Sequence, residues 1–300
     1  MGGDIMKAFN HIAKTAAFIL LLSFTAQALA QDEGPDRRPV RDVFNSTLLI
    51  DQHTTTNPYK GSLELIIHHR FGTMQNGLKD LVGIYAPSNI RMGFNYGINE
   101  RLSVGIGTEK NNKLQDVYAK YLILQQKRTG MPISLSFVTQ FGVDARNAEI
   151  FGENYEWTNR LSYFNQVIVS RKFGQKVAVQ FAPSYIHFNA VDKEQWNDYV
   201  GISLGARVNL FNEFSVIAGY DQAFAVMPNL RPESREARRE LLVAPKPNLG
   251  IGIEIGTPTH NFQVFAANYD KILGQKNMVF NQNSWLDGEV LLGFNLTVRF

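Results

Sequence analysis

Apolar and polar residues alternate with a period of two along most of this chain. In residues 200–210, every second position is apolar, and the positions between them are mostly glycine, serine, arginine or asparagine. Successive side chains of a β-strand point to opposite faces, so such a segment has one apolar and one polar face. Repeats of the pattern predict about twelve strands, at roughly 61–71, 89–98, 101–107, 114–125, 131–143, 160–172, 176–188, 200–210, 213–223, 249–256, 260–268 and 287–300.

The composition of the polar face favours a closed membrane barrel over a soluble β-sandwich. The polar face of a sandwich meets water and usually carries lysine, glutamate and threonine. Here that face is rich in glycine and has single arginines. Glycine suits a curved wall that other side chains approach closely. We therefore predict an all-β fold, a transmembrane up-and-down antiparallel β-barrel whose apolar face contacts lipid and whose polar face lines the lumen.

The connections between the predicted strands alternate in length. Short links such as Leu210–Glu213 alternate with long ones such as Asp144–Asn159, apart from a short link near Lys110–Lys113 that falls among the long ones. Outer-membrane barrels have short periplasmic turns and longer external loops. If the first barrel strand is 61–71, the strand number is even and both chain ends lie in the periplasm.

The N-terminus has the features of a secretory signal peptide. Lys7 and Lys14 precede an apolar run at 16–22, and residues 28–30 form an A-x-A cleavage site. We predict a signal peptide at 1–30, a periplasmic or lumenal segment at 31–60, and the barrel at 61–300. Within the middle segment Phe44–Asp51 also has a strand-like pattern, but counting it would make the strand number odd.

The last predicted strand ends on an aromatic residue. Its apolar side chains are Phe294, Leu296, Val298 and Phe300, with small or polar residues between them. This resembles the C-terminal signal of bacterial outer-membrane barrels that the barrel-assembly machinery reads. The resemblance implies that the protein lies in the bacterial outer membrane, in contact with its lipid and lipopolysaccharide.

Longer segments resemble the membrane-bound β-barrel family of unknown function that is common in one large group of Gram-negative bacteria. The matching segments are "STLLIDQHTTTNPYKGSLELIIHHRFGT", "IRMGFNYGINERLSVGIG", "YAKYLILQQK", "APSYIHFN" and "GFNLTVRF". They span nearly the whole mature chain. The resemblance implies an outer-membrane barrel and carries no established substrate or catalytic residue.

Charge and cysteine content narrow the function classes. The formal net charge of +3 gives no support for a nucleic-acid partner. The chain has no cysteine, which excludes disulfides and thiolate metal sites, and we expect no cofactor. No stretch after the N-terminal run approaches the roughly 20 apolar residues that a membrane-spanning helix needs.

Charged residues and one histidine on the predicted polar face are the candidate lumen-lining residues. They are Glu64, His68, Arg70, Arg91, Arg101, Glu109, Lys120, Arg207, Glu254, Glu289 and Arg299. Buried arginines need acidic partners, and the four glutamates are predicted to supply them. A ladder of such charges along an open pore would set ion selectivity, whereas a paired network would close a narrow barrel. Twelve strands lie between the filled barrels of about eight strands and the open barrels of 16–18, so both arrangements remain open.

Two segments that contain histidine are candidates for a metal site or a catalytic site. His68 and His69 are adjacent on a predicted strand, so they point apart and cannot bind one metal ion together; we predict no metal site. His187 and Asn189 suggest the Ser-His-Asn arrangement of outer-membrane phospholipases. Ser184 would face away from His187 unless a bulge intervenes, so we expect no enzymatic activity.

Residues 231–242, "RPESREARRELL", are the only helix-like stretch that the sequence predicts in the mature chain. Its arginines and glutamates form i,i+3 and i,i+4 pairs, which indicate either a solvated loop helix or an external arm that contacts lipopolysaccharide phosphates. The leading functional hypothesis is a non-enzymatic channel or binding barrel for small solutes. The alternatives are an accessory barrel that binds a periplasmic partner protein and, less favoured, a lipid hydrolase.

Overall fold

A closed ring of twelve antiparallel strands dominates the computed structural model, which describes residues 36–226 and 242–300. The ring strands are β3 (Leu63–Thr73), β4 (Asn89–Gly97), β5 (Leu102–Glu109), β6 (Leu114–Leu124), β7 (Ser134–Asp144), β8 (Leu161–Phe173), β9 (Val177–Phe188), β10 (Asp198–Phe211), β11 (Phe214–Ala225), β12 (Asn248–Gly256), β13 (His260–Ala267) and β14 (Leu291–Arg299). Each pairs with its neighbours in sequence, and β14 pairs with β3. The predicted all-β barrel fold is confirmed.

Burial along the strands follows the predicted period of two. In β10, Leu204 and Val208 are 44% and 38% exposed, whereas Ser203 and Arg207 are 1% and 3% exposed. A filled lumen buries the polar face, and the apolar face forms the outer surface of the ring. This inversion of the usual soluble-protein pattern is what a lipid-facing barrel requires.

An arginine on the outer face should therefore destabilise the barrel according to its depth. We expect Leu204→Arg to cost about 2–4 kcal/mol of folding free energy, because Leu204 lies midway along β10. Leu210→Arg, near the strand end, should cost no more than about 1 kcal/mol. Urea titration of refolding into lipid vesicles measures both values, and normal folding of the Leu204 variant would show that this face is assigned wrongly.

The two ends of the barrel differ in the length of their connections. The short-turn end carries the connections 98–101, 125–133, 174–176, 212–213 and 257–259. The chain termini of the ring also meet there, since the Leu63 backbone N–H donates to Phe300 O at 3.2 Å and the Phe300 N–H donates to Leu63 O at 2.8 Å. The long-loop end carries, among the described connections, 74–88, 110–113, 145–160, 189–197 and 268–290. Short 3-10 helices lie in it at Met74–Asp80, Asn111–Lys113, Ala148–Phe151 and Trp157–Arg160.

A small β-hairpin that contributes no strand to the ring lies in the lumen of the barrel. Its strands are β1 (Leu48–Leu49) and β2 (Gln52–His53), and we call residues 43–57 the inner hairpin. The continuous strand predicted at Phe44–Asp51 is wrong, because the chain turns at Ile50, whose φ of 57° lies in the left-handed region. That conformation is costly for a β-branched residue. Hydrogen bonds to both of its peptide groups, from Ile50 N to Gln263 Oε1 and from Asn295 Nδ2 to Ile50 O, hold it in place.

The inner hairpin reaches almost every side of the lumen. Its residues hydrogen-bond to ten of the twelve ring strands, namely β3, β4, β5, β6, β8, β9, β10, β11, β13 and β14. An apolar part packs as well, since Phe44, Leu49 and Ile50 join Ile217 and Phe265 of the wall in one buried cluster. The hairpin therefore fills the lumen from the short-turn side.

A second segment enters the lumen from the opposite side. Residues 268–290, which we call the inner loop, connect β13 to β14 and contain helix α1 (Gly274–Phe280). Met278 and Val279 of α1 pack against Phe164, Ile186 and other interior residues of the wall. The sequence analysis did not predict this helix. It is short, begins with glycine and has no side-chain cap, so its stability comes from burial rather than from local propensity.

Two predicted segments are not described by the structure. The signal peptide at 1–30 lies wholly outside the described residues. The helix-like stretch at 231–242 also lies outside them, except for Leu242, which packs against the apolar cluster around α1.

Candidate functional site

Most of the predicted lumen-lining residues face the interior of the ring. These are Glu64, His68, Arg70, Arg91, Glu109, Lys120, Arg207, Glu254 and Arg299. Two ion pairs join residues of that set. Arg207 Nε lies 2.7 Å from Glu254 Oε1, and Arg299 Nε lies 3.0 Å from Glu64 Oε1. The arrangement in the described residues is a paired network rather than an open ladder of charges.

Two predicted lumen-lining residues lie elsewhere. Arg101 is exposed in the turn between β4 and β5 at the short-turn end, one residue before the ring strand begins. Glu289 lies in the inner loop at the long-loop end, where it accepts a hydrogen bond from Ser284 N at 2.8 Å. The prediction placed both on strands because alternation alone does not fix strand ends.

The acidic partners of two lumenal arginines were not predicted from the sequence. Arg91 makes a bidentate contact with Asp116 of β6, at 2.9 Å from Nε and 2.6 Å from Nη2. Gly107 makes room for it, since a Cβ at that position would lie 2.2 Å from Arg91 Nη2. Asp116 shares the polar face with Lys120 and could have been found from the alternation. The partner of Arg70, Asp51, lies outside the predicted barrel strands and could not.

The contact between Arg70 and Asp51 fixes the inner hairpin to β3. Arg70 Nη2 lies 2.5 Å from Asp51 Oδ1, and both side chains are almost wholly buried. Arg70 also donates to Asn295 Oδ1 at 3.0 Å and lies over the ring of Phe265. Three strands away, on β6, the Lys120 ammonium donates to hairpin carbonyls, at 3.0 Å to Thr54 O and 2.6 Å to Thr56 O.

Small cavities remain where the inner hairpin meets the inner loop. One of about 20 Å³ lies among Asp51, His68, Tyr118 and Leu273, and another of about 10 Å³ lies beside Met278. Each has room for about one water molecule. Within the described residues, His68 Nδ1 and the Tyr118 hydroxyl are buried there without a hydrogen-bond partner. These cavities are too small for a solute larger than water.

A larger cavity opens at the long-loop end. It has a volume of about 280 Å³ and lies among the 145–160 connection, the 189–197 connection and α1. Its wall carries the cations Arg146, Arg160, Lys271 and Lys276. The Lys276 ammonium lies 4.9 Å and 4.8 Å from the ring centroids of Phe188 and Phe280. Burial lowers the pKa of Lys276 from its usual value to about 8.

Three acidic residues line this cavity, namely Glu109, Asp144 and Asp192, and the first two are engaged in internal contacts. Both oxygens of Asp144 accept hydrogen bonds from the Arg146 guanidinium, at 2.6 to 3.1 Å. Glu109 accepts from Asn89 Nδ2 at 2.7 Å and from the backbone N–H groups of Ile272 and Leu273 at 3.3 and 3.0 Å. Glu109 thus anchors the inner loop rather than pairing with a lumenal arginine as predicted.

The residues considered for a lipid hydrolase lie on opposite faces of β9. Ser184 is buried in the lumen and donates to Met278 Sδ at 3.9 Å. His187 is on the outer side, where its Nδ1 lies 2.7 Å from Asp198 Oδ1 and its ring lies 5.8 Å from that of Tyr163. The pairing of β9 with β10 is regular between them, so no bulge brings the serine to the histidine.

The other histidine pair and the terminal strand lie as the alternation predicts. His68 points into the lumen, and His69 points outward and stacks on Phe294 at 5.2 Å. Leu296 and Val298 share the outer face with Phe294, and the terminal Phe300 is 71% exposed. Recognition of this strand by assembly machinery stays a prediction.

Neither a metal cluster nor a spanning helix is found in the described part of the chain. No group of three or more histidine, cysteine, aspartate or glutamate side chains there is arranged to hold a metal ion. None of the described helices is long and apolar enough to cross a membrane.

Comparisons with solved structures find low-identity likenesses that cover most of the chain. The NanC porin is 8% identical, with a TM-score of 0.47, over 79% of this chain and 98% of that one. The COG4313 outer membrane channel from Pseudomonas putida F1 is 10% identical, with a TM-score of 0.49, over 90% and 100%. LpxR from Salmonella typhimurium is 14% identical, with a TM-score of 0.38, over 80% and 99%.

Among curated proteins, none matches this chain. The family described as "Membrane bound beta barrel domain (DUF5777)" matches residues 44–300, which include the whole ring and all of the inner hairpin except residue 43. The sequence resemblance noted above is thereby confirmed. The chain belongs to this family of membrane-bound β-barrels.

Proposed function

We propose that this protein is a non-enzymatic outer-membrane barrel that binds a small solute at its long-loop end and passes it when the inner hairpin leaves the lumen. In this orientation the short turns face the periplasm and the long loops face the exterior, as is usual for outer-membrane barrels. Outer-membrane lipid and the barrel-assembly machinery are its proposed partners in the envelope.

The observation that carries the proposal is that the short-turn side of the lumen is filled by a segment that is not part of the wall. Residues 43–57 contribute no strand to the ring, so the ladder of β3–β14 stays complete without them. Many of the hairpin's attachments are hydrogen bonds, each worth only about 0.5–1.5 kcal/mol net because water replaces a lost partner. None of these attachments belongs to the ladder of the ring, so the hairpin can leave while the barrel stays folded.

Conductance in planar lipid bilayers tests the passage. The mature chain should show rare or no openings, whereas a variant lacking residues 31–57 should show a steady ionic current. Heat-dependent mobility on detergent gels serves as the control that both variants form a folded barrel. A silent deletion variant, or a mature chain that conducts as well as the deletion variant, would contradict the proposal.

A second candidate function is an accessory barrel that binds a periplasmic protein. The observation that favours it is the path of the chain before the inner hairpin, along the rim of the short-turn end. Val40 N donates to Gln126 O at 2.7 Å, and Arg41 forms an exposed ion pair with Glu100 at 3.2 Å. A partner that bound this rim could pull on the hairpin. Co-purification of a periplasmic protein with the mature chain, lost when residues 31–42 are deleted, would support it.

A further inference from the structure

The chemistry of the long-loop cavity narrows the class of solute, on the assumption that the proposed solute-binding function is correct. The cavity's most unusual group is the Lys276 ammonium, which lies less than 5 Å from the ring centroids of Phe188 and Phe280, two rings that pack edge to face with their centroids 5.2 Å apart. Within the described residues, it has no hydrogen-bond acceptor in contact and no carboxylate within 4.0 Å. It is therefore a cation that the protein has partly dehydrated without giving it a counter-ion.

Two of the three acids that line the cavity, Asp144 and Glu109, cannot serve as that counter-ion without breaking other contacts. Asp144 is held by Arg146 on both oxygens, and Glu109 is held by Asn89 and by the inner-loop backbone. Lys271 has a partner of its own in Asp270, at 3.1 Å. The third lining acid, Asp192, is exposed and forms no ion pair with Lys276, so within the described residues this ammonium remains without a carboxylate in contact.

Aromatic rings compensate such a cation only in part. Cation–π contacts recover only part of the free energy that an ammonium loses when it leaves water, whereas a paired anion recovers more of it. A bound anion would restore the missing interaction, and the same rings would pack against its carbon atoms. The cavity, at about 280 Å³, lies just below the usual range for small-molecule sites, so only a small ligand fits it.

We propose that the long-loop cavity binds a small organic carboxylate, with the Lys276 ammonium as its counter-ion and the rings of Phe188 and Phe280 against its carbon skeleton. The carboxylate enters from the long-loop end. The inner loop forms the floor of the site, so binding and displacement of the inner hairpin take place on opposite sides of α1.

Isothermal titration of the refolded mature chain at pH 7 tests this site with matched pairs of probes. Benzoate is compared with benzamide, and glucuronate with glucose, so that each pair differs mainly in the carboxylate charge. At least one acid should bind, and its neutral counterpart should bind at least tenfold more weakly. Lys276→Gln should weaken the acid at least tenfold, whereas Lys193→Gln, an exposed lysine in the 189–197 connection, should leave it unchanged.

The pH dependence separates a counter-ion from a structural anchor. Affinity of the wild-type chain should fall as the pH rises above about 8, because the ammonium loses its proton. Lys276→Arg should keep the affinity constant to about pH 10, since a guanidinium stays charged. Equal binding of acid and neutral probes, or unchanged acid binding by Lys276→Gln, would overturn the proposal and leave Lys276 as an anchor for α1. Conductance of the variant lacking residues 31–57 is measured without any carboxylate, so the passage and this site can fail separately.

Discussion

A leucine in place of Gly205 is expected to destabilise the closed position of the inner hairpin and to increase the conductance of the full-length barrel. Gly205 faces inward on β10, directly beneath the hairpin. A Cβ there would lie 2.7 Å from both Gln52 Oε1 and Leu49 Cδ2, and 2.8 Å from Gln180 Cγ. The two glutamines can shift enough for a methyl group, so Gly205→Ala should stay closed. The further carbons of leucine have no free space, and overpacking of this kind typically costs about 1–3 kcal/mol.

Planar-bilayer recordings measure this effect directly. Gly205→Leu should open more often than the unchanged mature chain, and deletion of the hairpin from Gly205→Leu should raise the current to that of the variant lacking residues 31–57. Ala206→Leu is the matched control, because Ala206 is the next residue of β10 and faces outward. A silent Gly205→Leu barrel that migrates as folded protein would mean that the hairpin adjusts in place.

The buried pair of Asp51 and Arg70 should give the largest loss of stability on removal of one partner. We expect Asp51→Leu to cost about 3–5 kcal/mol, because it leaves an uncompensated guanidinium in the wall. Arg70→Met should cost less, since Asp51 is on the hairpin and can move into water when the hairpin leaves. The double variant should recover much of the loss, because a well-packed apolar pair is often as stable as a buried ion pair.

Urea unfolding of the refolded variants in lipid vesicles measures the coupling of this pair. The exposed pair Arg41–Glu100 is the control, as both of its side chains are more than half exposed. Exposed pairs contribute about 0–1 kcal/mol, so Arg41→Ala should be nearly neutral. Additive effects of Asp51→Leu and Arg70→Met would show that the two side chains do not depend on each other.

The sequence predicts the wall of the barrel well because the wall obeys a local rule. Each strand places alternate residues on the lipid and lumen sides, so the inward positions of Arg207 and Glu254 follow from residues close to them in sequence. Contents of the lumen obey no such rule. The contact of Asp51 with Arg70, and the helical form of residues 274–280, depend on neighbours that are distant in sequence. Local propensity is a weak guide when such burial decides the conformation.

The candidate site was missed for the same reason. Lys276, Phe188 and Phe280 come from α1 and the end of β9, and only the closed ring brings them together. One signal was present in the sequence, namely a lysine within an amide-rich and apolar connection of unusual length. Such a long connection indicates a functional loop, but its sequence does not identify the ligand.

Pairing of β14 with β3 has a consequence for biogenesis. The seam unites the first and last strands of the ring, so it cannot be sealed before the final residues of the polypeptide arrive. Until then the sheet has two unpaired edge strands, which can pair with the wrong strand or with another chain. The inner hairpin immediately precedes β3. It must enter the lumen while the sheet is still unclosed, or else pass through one end of the closed barrel. A polypeptide truncated before its last strand would therefore keep β3 as an unpaired edge, by which it differs from the complete chain.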